Sequence, residues 1–129
     1  MFRTTRPSSP LIWIVRIVLA AALIAAGSSK LAGVPFQIDL FDRLGIGQWF
    51  RYFTAVTELA TAALLLLPRT GFLGGLLLGA TMLGAIAAHL FVIGGSPIPA
   101  LVLGAMAAFV VWRLRPLDSR VATAPSVAS

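Results

Sequence analysis

Four apolar runs, residues 11–29, 49–67, 72–93 and 97–114, leave this chain few ways to fold. A helix needs about 20 mostly apolar residues to cross a bilayer, within a range of about 17–25. All four runs fall in that range. Their ionisable side chains are few: Arg16 in the first, Arg51 and Glu58 in the second, His89 in the third and Arg113 at the end of the fourth. None alternates with the period of two that marks a barrel strand, and open sheets do not span lipid. The reading is an all-α fold, an integral membrane four-helix bundle. Composition agrees, with 59% hydrophobic and 11% charged residues, against about 25% charged in soluble domains.

The breaks between runs have physical causes. Pro68 removes a backbone donor, and "PRTG" then turns the chain from the second run into the third. "GGSPIP" does the same between the third and fourth. Turns this short make the helices they join antiparallel neighbours. The first connection is longer: residues 30–48, "KLAGVPFQIDLFDRLGIGQ", mix apolar side chains with Lys30, Asp39, Asp42 and Arg43. That mixture predicts a short amphipathic helix around 37–44, or a packed loop, lying in the membrane interface. Trp49, Phe50 and Tyr52 then form an aromatic anchor at the start of the second span. The connection either packs with no ligand role or covers a cavity.

Charge sets the expected orientation. With four spans, Arg3, Arg6, Arg69, Arg113, Arg115 and Arg120 share one side, while Lys30, Arg43 and Arg51 lie on the other beside Asp39 and Asp42. The richer side is expected in the cytoplasm. This gives a multi-pass membrane protein with both termini cytoplasmic. Residues 1–10 are then a cytoplasmic N-terminal segment, 11–115 the transmembrane domain, and 116–129 a disordered cytoplasmic tail. A cleaved signal peptide is the alternative for the first run, but a signal core spans about 7–15 residues; this one is longer and contains Arg16.

The net charge of +6 lies at the flanks of apolar runs rather than in a stripe, so nucleic acid is not an expected partner; the lipid bilayer is. With no cysteine, thiolate metal sites and thiol relays are excluded. One histidine leaves haem without the usual second axial ligand and zinc without enough ligands, so no metal is expected. Gly71, Gly75 and Gly79, and likewise Ala100, Gly104 and Ala108, repeat at four-residue spacing. Such stripes serve close helix packing within the chain or a homodimer.

Glu58 is the residue that needs explaining, because an unpaired carboxylate at mid-membrane is costly. At about 1.5 Å of rise per residue, His89 lies roughly 10 Å and Lys30 roughly 15 Å from its level, both toward the outer side. Side chains lean toward the N-terminus of their own helix. Glu58 therefore leans outward while Lys30 and His89 lean inward, and the three converge. Three uses follow: a structural ion pair, a polar pocket opening outward for a quinone or lipid, or a short proton path. Arg16 leans the other way, although its length permits a structural pair with Glu58. The pocket candidates are Glu58, His89 and Lys30, together with Phe36 and Trp49; the long first connection, with Phe36, Phe41 and Trp49, can cover the opening. A quinone is the candidate cofactor, its carbonyls accepting from His89 or Lys30. No nucleophile, base and metal are grouped, so the chain is not read as an enzyme on its own.

The order of Arg16, "AAGSSKLAG", Phe36, "TELATAALLLLPRTGFLGGLLLGATMLGAIAAHL" and "GGSPIPALVLG" resembles the DoxX-like family of small four-helix bacterial membrane proteins, over roughly residues 11–115. The family name comes from a subunit of a quinol-linked thiosulfate oxidoreductase. The resemblance implies a redox-linked membrane subunit that binds a quinone or docks a membrane or soluble oxidoreductase partner. The other reading is a non-enzymatic membrane scaffold or chaperone-like partner whose buried charges are structural.

Overall fold

The computed structural model describes residues 10–116, and no strand occurs among them. The expected N-terminal segment falls almost wholly outside the described residues, as does the expected tail. Five α-helices occur among the described residues: α1 (Pro10–Ala32), α2 (Pro35–Leu44), α3 (Trp49–Leu66), α4 (Gly71–Ala88) and α5 (Ile98–Leu114). A π-helical turn, His89–Ile93, continues α4.

Local chemistry sets the boundaries. Pro10 and Pro35 stand at the first positions of α1 and α2, where a missing N–H costs nothing. α2 stops at Gly45, whose left-handed backbone (φ 79°) returns its N–H to Phe41 and Asp42. Pro68 prevents α3 from continuing, and the Thr70 hydroxyl closes the turn by donating to the Leu64 carbonyl at 2.8 Å. The helix in the first connection begins at Pro35, two residues before the stretch that amphipathicity marks, because proline pre-sets the helical φ.

The four long helices pack in a ring: α1 on α3, α3 on α4, α4 on α5 and α5 back on α1. The core between them contains Leu19, Leu23, Leu65, Leu78 and Val110, with Met82 and Ala107. α2 leans across one end and touches α1, α3 and the π-turn.

Side chains depart from a soluble domain's distribution in two ways. Arg16, Lys30, Arg51 and Glu58 are buried, while Ile14, Val18, Ile24, Val56, Leu76, Leu83 and Val102 are exposed. Among the described residues, two helical stretches are long and apolar enough to cross a membrane: Pro10–Ala32 and Gly71–Ile93, each of 23 residues with mean hydropathy 2.2. α5 is apolar but shorter, and α3 carries Arg51 and Glu58.

The small-residue stripes are used only in part. A methyl group added at Gly71 would lie 2.6 Å from the Arg16 guanidinium and from Leu114, and one at Gly75 would lie 3.0 Å from Val111. One added at Gly79 meets nothing within 4 Å. Gly74, outside the four-residue repeat, takes part instead and faces Leu64 and Leu65 of α3. The helix presents neighbouring glycines to two partners at once, α3 and α5, and a strict repeat of four serves only one.

Candidate functional site

The site begins with two arginines. A helix ends in carbonyls that lack intrahelical donors and carry partial negative charge. Arg16, early in α1, donates from Nε to the Leu65 carbonyl at 2.7 Å and from Nη2 to the Leu67 carbonyl at 2.6 Å, at the end of α3. Its guanidinium lies 3.9 Å from the centre of the Trp13 ring. Arg51, early in α3, does the converse: Nη1 donates to the Lys30 carbonyl near the end of α1. Its Nε donates to Gln48 Oε1 at 2.7 Å and Nη2 to the Tyr52 hydroxyl at 3.2 Å. Each helix thus closes the end of its antiparallel neighbour.

Between these clamps lies the ion pair. Lys30 reaches back along α1 toward the middle of α3, and its Nζ sits 3.0 Å from Glu58 Oε1. It donates to Oε2 at 3.4 Å. Both residues are more than nine-tenths buried. Oε1 is near enough for Coulomb attraction but off the line of a donated hydrogen, and it has no hydrogen-bond partner among the described residues. The pair that sequence reasoning also weighed, Arg16 with Glu58, does not form. Arg16 leans toward the start of α1 and finds the carbonyls of α3 there.

Lys30, Glu58 and His89 line one cavity of about 660 Å³. Leu40, Phe41 and Leu44 of α2 also form its wall, with Phe50, Phe53, Thr54 and Thr57 of α3 and Thr81 and Ala85 of α4. His89 begins the π-turn, a distortion often found at functional sites. Its Nδ1 lies 2.8 Å from the Ala85 carbonyl.

Of the three aromatic residues expected as a cover, Phe41 lines this cavity, and Phe36 and Trp49 do not. Phe36 is 65% exposed and Trp49 61%. Gln37, Leu40, Phe41 and Leu44 set the inner face of α2, so Phe36 falls beside it. Phe50 and Phe53 join Phe41 in the aromatic wall, with ring centres 5.9 Å apart for Phe41–Phe50 and 5.8 Å for the stacked Phe50–Phe53 pair. Trp49 touches this cluster from outside, 5.6 Å from Phe50. Sequence reasoning named Phe41 but passed over Phe50 and Phe53 as wall residues, yet a signal existed. Phe50 and Thr54 precede Glu58 by eight and four residues, which places all three on one helical face.

Buried ion pairing, arginine-closed helix ends and an apolar exterior define a class: small all-helical proteins built around a charged interior. The chain belongs to the DoxX-like family, whose model matches residues 14–114. That span takes in both arginine clamps, the ion pair and the whole cavity wall. No curated protein matches the chain, and no solved structure does.

Proposed function

We propose that α1, α3, α4 with its π-turn, and α5 cross the bacterial cytoplasmic membrane as a four-helix bundle with both termini cytoplasmic. In this reading the cavity around Lys30, Glu58 and His89 holds an amphiphile, a quinone or a lipid. The protein then serves as a redox-linked membrane subunit beside a membrane or soluble oxidoreductase. One observation carries the reading: charges are buried around a cavity while large apolar side chains face outward. In water that exterior would be an aggregation surface. In lipid it is solvated, and buried polar groups facing an interior cavity mark functional sites.

The geometry supports an amphiphile rather than a fully polar ligand. The polar lining is Lys30, Thr54, Thr57, Glu58, Thr81 and His89, and the rest of the wall is made of Leu, Ile, Val, Phe, Met, Ala and Gly. Pockets of this kind orient a polar head by a few groups and bury the remainder against apolar walls. The buried Lys30–Glu58 pair alone is equally compatible with a purely structural role in a scaffold. The cavity beside it favours the binding role.

Reporter fusions test the membrane arrangement. A reporter active only in the cytoplasm is expected to work when fused after residue 129, and a periplasm-dependent reporter when fused at residue 95. Periplasmic activity of the C-terminal fusion contradicts the arrangement.

A further inference from the structure

The hydrogen-bonding state of the cavity wall restricts the head group it accepts. The His89 Nδ1 atom faces the Ala85 carbonyl at 2.8 Å, and a carbonyl only accepts, so Nδ1 carries the hydrogen. With the ring neutral, Nε2 is left as an acceptor. The Thr81 hydroxyl donates its hydrogen to the Leu77 carbonyl at 2.9 Å. The Thr57 hydroxyl donates to the Phe53 carbonyl at 2.9 Å. Glu58 Oε1 has no hydrogen-bond partner among the described residues but is itself fully buried, so it is not among the acceptors a ligand meets. Lys30, the charged donor on the wall, is more than nine-tenths buried and turned onto Glu58, which occupies part of its three-hydrogen capacity. Thr54 can serve as donor or acceptor. The wall therefore offers mainly lone pairs.

A ligand bearing only carbonyl oxygens meets acceptors with acceptors there. A ligand with hydroxyl hydrogens satisfies them. We infer that the cavity selects amphiphiles whose head donates hydrogen bonds, an aromatic ring with free hydroxyls and an apolar tail, over the same ring without those hydrogens. The ring is specified by the wall of Phe41, Phe50 and Phe53, against which an aromatic face packs in offset or edge-on geometry. For a redox pair this means that the hydroquinone binds in preference to its quinone, the reverse of an assignment in which His89 donates to a quinone carbonyl.

This inference rests on the cavity being an amphiphile site, and the test separates the two. Detergent-solubilised full-length protein is titrated calorimetrically with a 4-alkylphenol and with its methyl ether, which keep ring and tail and differ in the donor. A short-tailed hydroquinone and its quinone are compared in the same way without oxygen. The phenol and the hydroquinone are expected to bind about tenfold or more tightly than their partners, the scale of one well-made hydrogen bond against one left unmade. His89→Leu is expected to reduce each ratio below about threefold. Thr81→Val, a near-isosteric change that keeps the helix intact, is expected to narrow it by a smaller factor. Saturable binding of both members of each pair at equal affinity overturns the donor rule and leaves the amphiphile site standing. No saturable binding by any of the four probes overturns both.

Discussion

Replacing Lys30 by alanine is expected to destabilise the protein by about 3–5 kcal/mol, because it leaves the Glu58 carboxylate buried without its cation. The cation sits 3.0 Å from Oε1, and both side chains are about nine-tenths buried. Glu58→Ala strands Lys30 in the same way, and its cost falls in the same range. The informative variant removes both charges. A Lys30→Met, Glu58→Leu protein keeps similar volume and carries no buried ion, so its stability is expected to lie within about 1–2 kcal/mol of the wild type. Unfolding followed by circular dichroism in mild detergent reads all four proteins. If the ion pair exists only to fix helix register, the double variant performs every role of the wild type. If the pair belongs to a binding site, the double variant folds and no longer binds. A single Lys30→Ala variant as stable as the wild type would mean that water or lipid solvates Glu58, contrary to the buried geometry.

The second large effect is expected at Arg16. Its guanidinium satisfies two carbonyls at the end of α3, just before Pro68 interrupts the helix. Arg16→Ala removes two charge-assisted hydrogen bonds in a buried setting, at a cost on the order of 3 kcal/mol. Arg16→Lys is expected to recover less than half of this, since an ammonium lacks the planar fork that reaches both carbonyls at once. Gly71 offers an independent approach to the same contact. Its added methyl would lie 2.6 Å from the guanidinium, so Gly71→Ala must push Arg16 aside and should lower the unfolding midpoint without removing any charge. Thermal unfolding in detergent checks the series. Equal midpoints for wild type and Arg16→Ala would show that other donors satisfy these carbonyls.

Much of the fold was legible because apolar runs, prolines and helix periodicity are local signals. The helical class followed from runs too long for strands, and the turn between α3 and α4 from Pro68. The meeting of Lys30, Glu58 and His89 at one cavity was legible for a different reason. Depth along a helix and the lean of side chains toward its N-terminus are simple geometry, and together they aim all three at one place. Rotation about the helix axis was harder to read. Phe36 and Trp49 do not line the cavity, whereas Phe41 does and is joined there by Phe50 and Phe53. Arg51 reads in sequence as a flanking topology charge. Its role at the end of α1 depends on a neighbour 21 residues away and has no local signature. The π-turn at His89–Ile93 was equally invisible, since nothing in "HLFVI" separates it from ordinary helix.

Gly84 permits the most direct measurement. It lies on the cavity wall, and a methyl group added there meets nothing within 4 Å. A side chain can start there without a clash, so Gly84→Phe is expected to occupy cavity space and to unfold near the wild-type temperature. Both proteins are extracted in native lipid and analysed by native mass spectrometry with gradual release of small molecules. The central claim, that the cavity beside Lys30, Glu58 and His89 holds an amphiphile, requires a bound low-mass amphiphile on the wild type that is lost from Gly84→Phe. The same bound species on both proteins, or none on the wild type, would contradict it.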